Sequence, residues 1–563
     1  MLCLNFTGIA RQEPAARRVV SVSDSGREVP LTRRRVLSAV GATGGVGALL
    51  RAMGVLGFAP TAGAQDPAYR APRLSDLRQP RGPRKRVLVI GAGVAGLASV
   101  YELRKAGYDC VVLEARNRPG GRVWTVRKGT VETDVDGHTQ LARFAPGQYM
   151  NAGASRIAPD MVTLDYCREL GVPIEAFSAQ NANAYYVYED GGSLSGKPVR
   201  HRTGKADMYG YMAELLTKAT NRGALDQELT EADRELLLDF LRDWGDIDTS
   251  GEYTGSERRG FVVPPGAGER PGVVGDPFPL SDLLESGLGF RFSDEFDPFE
   301  AMPLFQPVGG MDRIARALVD AIGEHRITYD AVVQSITTSG AGVAVVFRGP
   351  DGRSRTERAD YCICTIPPQI LKKIPTNFSK AVRNALAAPV PVRAGKLGIQ
   401  YGRRWWEEDD RIYGGTTYTD LDLTLVEYPS WGFHGKRGII HGFYNFDAEA
   451  ERYGDLSPAA RLSRALSQGE KIHGPKFRRD VEASFSVAWQ KTRYSMGGWT
   501  TWPGGSESGP RPGDPNYARL LRPEGRVYFA GDHLSHMNGW TAGAFLSARK
   551  VVGDLHARVV ATG

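Results

Sequence analysis

Three glycines and one acid carry the first recognisable chemistry of this chain. Gly91, Gly93 and Gly96 form a G-x-G-x-x-G in "VIGAGVAGLAS". The apolar run "RVLVIGAG" precedes them, and "VAGLASVYELRKAG" follows with Val94, Leu97, Ala98 and Tyr101 at helical spacing. In a strand–turn–helix unit the first glycine turns the chain, the second lets the backbone approach a pyrophosphate, and the third packs helix on strand. The helix start, with Val94 and Ala95 in its first turn, offers free N–H groups and a positive dipole end to phosphates. Glu114 closes a second apolar run, "DCVVLEA", 18 residues after Gly96. A carboxylate there binds both hydroxyls of a ribose and repels a 2′-phosphate, which argues against NADP. The motif alone leaves NAD and FAD open.

Other residues have chemistry without an obvious partner. Arg156 ends the small-residue run "NAGASR". By type it can be a surface charge, a phosphate contact or a clamp for an anionic substrate. Lys396 sits in "RAGKLGIQY" among small and apolar residues, where an unpaired ammonium is costly; the plainer reading is a lysine at a strand edge. Trp489 and Trp499 can wall a pocket or fill a core. His533 and His536 have no metal-ligand spacing, and no Ser-His-Asp or Cys-x-x-Cys grouping stands out, so no metal is expected.

The residues after Glu114 narrow the cofactor. "EARNRPGGRV", with Ala115, Arg116, Gly121 and Arg122, resembles the phrase that ends the first dinucleotide unit of the flavin monoamine oxidase family. The resemblance spans roughly residues 85 to 555 through "PVGGMDRI", "RAGKLGIQY", "RYSMGGWTT", "VYFAGDHLS" and "NGWTAGAF", in the family's order. It implies bound FAD. Gly531 and Asp532 would lie against the ribityl–phosphate region, and Thr541 and Ala544 would open a last helix facing the flavin ring. Val333 would touch adenine, and Arg122 would neutralise pyrophosphate. Gly153, Ala154 and Ser155 would line the cofactor with Trp489. Some relatives attach flavin through a cysteine after "MGG"; Trp499 stands there, so non-covalent FAD is expected.

The same resemblance points to the L-amino acid oxidase branch. "AGASR" is similar to that branch's Gly-x-x-Arg phrase, whose arginine forks a substrate carboxylate. Tyr444 in "HGFYNFDAEA" matches the tyrosine taking the second carboxylate contact, with Phe443 as the one-residue alternative. Lys396 matches the lysine that holds a water against flavin N5, and Gly539 and Trp540 match the wall facing the α-amine. The implied reaction is hydride transfer to the flavin, with oxygen reduced to hydrogen peroxide and the imino acid hydrolysed to a 2-oxo acid and ammonia. An L-amino acid 2-monooxygenase and an amine or polyamine oxidase are the alternatives. The stretch before "PVGGM" lacks the pocket histidine of some relatives, so no histidine base is implied.

These residues need a large scaffold. The 563 residues suggest two or three domains. The expected fold is α/β: a Rossmann-like FAD-binding domain of monoamine oxidase type (85–123, 303–390 and 515–560), a mixed β-sheet substrate domain (124–198 and 391–514) and a helical domain (199–302). Three strand patterns are expected across 325–368. Residues 1–64 hold eight arginines against three acids, which is +5 of the net +7. The remaining +2 gives no case for nucleic acid or an anionic membrane. "TRRRVL" before a mild Gly/Ala-rich stretch ending Ala62-Gly63-Ala64 resembles a twin-arginine signal, followed by a linker over 65–84. It is too polar to span a membrane. Export to the periplasm or beyond by the twin-arginine machinery is expected. The resemblance also implies a homodimer, with an L-amino acid and molecular oxygen as partners. Cys3 would leave with the signal; Cys110, Cys167, Cys362 and Cys364 read as buried free thiols.

Overall fold

The computed structural model describes residues 84–297, 299–505 and 509–562. The expected signal at 1–64 and the linker up to residue 83 lie outside the described residues. The fold is α/β, as expected.

A five-stranded parallel sheet runs in the order Ile327–Thr328, Asp109–Leu113, Arg86–Ile90, Tyr361–Cys364, Val527–Phe529. Its central strands are continuous apolar runs, because both faces are covered. Alternate residues of Arg86–Ile90 enter different cores. Val87 and Val89 pack with the helices Val94–Lys105, Arg313–Ile322 and Thr541–Thr562. Leu88 and Ile90 pack with the antiparallel strands Val332–Thr338 and Val343–Arg348 and the helix Lys380–Ala387. The period of two is that of a strand buried on both sides.

The stretch expected to hold three strands holds five. "HRITYDAVVQSI" breaks at Asp330, whose φ is 53°, and its halves join different sheets. Ser354–Ala359 is a polar strand exposed along most of its length, with no apolar alternation to reveal it.

The second sheet has seven strands in the order Val481–Ala488, Ala394–Tyr401, Gly438–Phe446, Leu425–Glu427, Thr416–Thr419, Tyr185–Val187, Val199–Arg200. One pair, Thr416–Thr419 with Tyr185–Val187, is parallel, so the sheet is mixed. The helices His201–Asn221 and Glu231–Gly245 follow its edge strand, the second opening on Thr230, which accepts a hydrogen bond from the Asp233 N–H. The four described cysteines are free and buried. No helix among the described residues is long and apolar enough to cross a membrane.

Candidate active site

One cavity of about 970 Å³ runs between the parallel sheet and the mixed sheet. Of the residues singled out from the sequence for cofactor or substrate, all line it except Gly96. Gly96 has the packing role expected of it: a Cβ there would meet the Gly91 carbonyl oxygen at 2.0 Å. Gly91 turns the chain with φ at 103°, and a Cβ on Gly93 would stand in open space. That space faces the start of helix Val94–Lys105, where unpaired N–H groups await an anion.

Glu114 directly follows its strand and is buried. Its Oε2 accepts from the Ala92 N–H at 2.7 Å and its Oε1 from the Arg116 N–H at 2.9 Å. A carboxylate has about four acceptor positions, so capacity for ribose hydroxyls remains. Helix Thr541–Thr562 also begins in the cavity wall. Here the Thr541 hydroxyl and both amide atoms of Asn538 are buried with no hydrogen-bond partner. Orphaned polar groups at a helix N-terminus are costly unless a ligand satisfies them. The open cradle at Gly93, the acid at 114 and these orphans at 538–541 fit FAD, which brings phosphates, ribose hydroxyls and a polar ring to be satisfied.

Arg122 lines the cavity and has an acid partner of its own. Its guanidinium is paired with Asp532, the residue expected at the ribityl–phosphate region, and Asp532 also accepts from the Gly539 N–H at 3.2 Å. Burial alone would raise the Asp532 pKa, but the Arg122 guanidinium and the Gly539 N–H hold it below the ordinary carboxylate range. The guanidinium thus ties Asp532 and the Gly498 carbonyl together in the cavity wall. Trp489 donates its indole N–H to the Ala152 carbonyl at 2.9 Å, so this tryptophan locks the Gly153 segment as well as lining the cavity.

The substrate half is built on the mixed sheet. Lys396 lies in Ala394–Tyr401, a strand buried over all eight residues. Its cross-strand partner is Tyr444, and its ammonium stands 4.1 Å from the centre of that ring. Leu397 is opposite Phe443, which packs into the core with Tyr453, so Tyr444 and not Phe443 faces the cavity. The Lys396 Nζ donates to the Gly153 carbonyl at 3.0 Å and to the Ser155 hydroxyl. Burial pulls its pKa down to about 8, against the raising pull of Glu427. Burial, with Glu427, keeps the Tyr444 hydroxyl protonated far above neutral pH and available as a donor.

Glu427, which by its acidity could meet a basic substrate side chain, and His441, which nothing in the sequence singled out, complete this cluster. Glu427 Oε2 lies 3.8 Å from Lys396 Nζ and 2.6 Å from His441 Nδ1. Burial opposes its charge, yet Lys396 and His441 bring its pKa down to about 2. An ionised carboxylate only accepts, so the imidazole donates from Nδ1. Burial lowers the His441 pKa, which keeps the ring neutral. A bulge explains why spacing did not reveal the group. His441 and Tyr444 are three apart and would face opposite ways on a regular strand. The pairing skips from Leu397↔Phe443 to Gly398↔His441, leaving Gly442 as the extra residue. Glu427 and Leu425, two apart on the neighbouring strand, then face His441 and Tyr444.

Arg156 also lines the cavity, with its guanidinium 5.2 Å from the Trp540 ring centre. One N–H donates to the carboxylate of Glu300, and the buried Nε has no partner. Phe446 joins Tyr444 and Trp499 in an aromatic wall, with ring centres 4.5 and 5.8 Å from it. The whole arrangement presents a guanidinium, a phenol, a buried lysine and aromatic faces around one space. That combination can hold a small zwitterion in a water-poor pocket.

Comparison with known proteins bears on both halves. The family model described as flavin containing amine oxidoreductase matches residues 94–556. An L-amino-acid oxidase of Protobothrops flavoviridis is 26% identical over 492 residues, covering 84% of this chain and 89% of that protein. An L-amino acid oxidase of Cerastes cerastes is also 26% identical, over 505 residues, with 85% and 88% covered. Among solved structures, a redesigned putrescine oxidase has a TM-score of 0.55 at 20% identity, covering 84% of this chain and 99% of its own. Cyclohexylamine oxidase from Brevibacterium oxydans gives a TM-score of 0.55 at 18% identity, with 84% and 99% covered. Those two likenesses are of fold.

Proposed function

We propose, for a chain that belongs to the flavin-containing amine oxidoreductase family and has FAD as its cofactor, that the substrate is an L-amino acid. The products are a 2-oxo acid, ammonia and hydrogen peroxide. The observation carrying this reading is Arg156, a guanidinium in the wall of the cavity with a carboxylate already on one of its N–H groups. A dry pocket holds a substrate carboxylate only against a paired cation.

The chain's own residues supply binding and orientation. Arg156 forks the carboxylate and the Tyr444 hydroxyl donates to it, fixing the α-carbon between the aromatic wall and Trp540. Lys396, carried on the mixed sheet and tied to Gly153 and Ser155, presents an ammonium into the same space. FAD, held at the Gly93 cradle, Glu114 and the start of helix Thr541–Thr562, would supply the acceptor for two electrons from the amine and their onward route to oxygen. His441 stays bonded to Glu427 and takes no proton from the substrate.

An amine substrate is the second reading, and one observation favours it. While Glu300 neutralises Arg156, the pocket presents aromatic faces beside a guanidinium that is already paired. A peroxide assay across the twenty L-amino acids and common amines, with products identified, separates the two. Arg156→Ala should lower kcat/KM for the preferred amino acid by about 10²-fold or more, the scale of removing one partner of a buried ion pair. Unchanged turnover would leave the amine reading standing, and release of carbon dioxide with an amide would identify a monooxygenase. Export through residues 1–64 belongs to the same reading. N-terminal sequencing of the mature protein, expected to begin at Gln65, tests it.

A further inference from the structure

The segment "RFSDEFDPFEAM" at 291–302 carries four acids. Asp294 lies 3.5 Å from Arg291 and Asp297 accepts from the Phe299 N–H at 2.9 Å, both within the segment, and Glu295 pairs with Lys205 on helix His201–Asn221. Glu300 reaches across to Arg156. The two residues flank a fixed point, where Ile157 and Phe305 exchange backbone hydrogen bonds of 2.8 and 2.9 Å. Arg156 is one residue from that point and is also held on the Trp540 ring. Glu300 is five residues from it, in a stretch without helix or strand. The Arg156 side chain is thus braced on the Trp540 ring, whereas Glu300, its N–H bonded to the Asp297 carbonyl at 3.0 Å, has side-chain torsions free to swing its carboxylate away.

The contact is also incomplete. Glu300 takes one N–H of a guanidinium that offers five donors, and the buried Nε has none of its needs met. A substrate carboxylate entering the fork can take two parallel N–H bonds, which is the stronger geometry.

We propose that Glu300 is a built-in competitor for the substrate site: its carboxylate holds Arg156 until an amino-acid carboxylate replaces it. This rests on the reading of Arg156 as substrate clamp. One carboxylate leaves the guanidinium as another arrives, so the charge on Arg156 stays paired throughout. The displaced Glu300, whose side chain is 24% exposed in the pair, has solvent to enter. A simple amine brings nothing to exchange and leaves the Arg156–Glu300 pair across the pocket. Glu300 thereby determines specificity, admitting molecules with an acid head and resisting those without one.

The test uses FAD-loaded wild type, Glu300→Gln, Glu300→Ala and Arg156→Ala. Benzoate, a carboxylate with no amine to oxidise, is titrated against the visible flavin spectrum, and KM for the preferred amino acid is measured in parallel. Both Glu300 variants should bind benzoate about fivefold more tightly and lower KM by a similar factor, the scale of one partly exposed ion pair. If both bind benzoate no better than wild type while Arg156→Ala loses it, the clamp stands and the competitor role is overturned. If Arg156→Ala binds benzoate like wild type, the clamp itself fails. A raised KM in the Glu300 variants would assign Glu300 to the substrate rather than against it. Failure of both variants to fold and hold flavin would make Glu300 a structural residue and end the proposal.

Discussion

Lys396 and Tyr444 face each other across an antiparallel strand pair, the ammonium 4.1 Å above the centre of the phenol ring. On its other side the same ammonium meets Glu427 at 3.8 Å. Burial brings the Lys396 pKa down to about 8, Glu427 favours the charged form, and Arg156 opposes it. The oxidised, flavin-loaded protein should therefore show a titration near pH 8 in its flavin absorbance and in the rate of flavin reduction. Lys396→Met should abolish that inflection. Glu427→Gln should move it to lower pH, since the carboxylate is what favours the protonated lysine. Movement to higher pH would contradict this assignment.

Gly93 and Gly96, both in the glycine turn, can be told apart by substitution. Gly93→Ala adds a methyl to open space in the cavity, so the fold should persist while flavin affinity drops by about tenfold or more, read as flavin content against an unchanged circular dichroism spectrum. Gly96→Ala drives a Cβ into the Gly91 carbonyl at 2.0 Å. That variant should lose soluble, folded protein along with its flavin. Equal flavin loss with equal folding in both would remove the distinction.

Stability should decline on the acid side in a defined window. Burial holds His201 and His533 neutral, with pKa values lowered to about 3 and about 4. An unfolded histidine takes up its proton near about pH 6.5, so the unfolded chain binds more protons below that point. The stabilisation is full above about pH 6.5 and is lost as pH falls toward the folded values. Glu427, brought down to about 2, adds a second loss below about pH 4.5 as the unfolded carboxyl protonates. Urea midpoints measured from pH 8 to pH 4 should fall steadily, and His201→Gln should make the decline shallower.

The flavin should come away with the fold. Trp499 occupies the position after Gly497-Gly498, lines the cavity, and offers no thiol for attachment. Acid precipitation should leave the yellow colour in the supernatant and a colourless protein pellet. Flavin remaining with the pellet would show a covalent link.

The sequence by itself determined what is local or repeated along the chain. The glycine triad, Glu114 and the apolar runs around them were legible because backbone conformation and core burial impose fixed spacings of two and three-to-four residues. Arg156, Lys396 and Tyr444 could be named by type and context, and the sequence placed them in one pocket only through resemblance. Their partners were decided by tertiary structure alone. Glu300 meets Arg156 from 144 residues away, and Asp532 takes up the charge of Arg122 across 410. No spacing rule links residues so far apart; only the packing of separate segments brings those charges within reach. The extra residue at Gly442 is the sharpest case. It reverses which side chains share a face, bringing His441 into phase with Tyr444 over Glu427 and Lys396, and a bulge of one residue leaves no mark in the order of the letters.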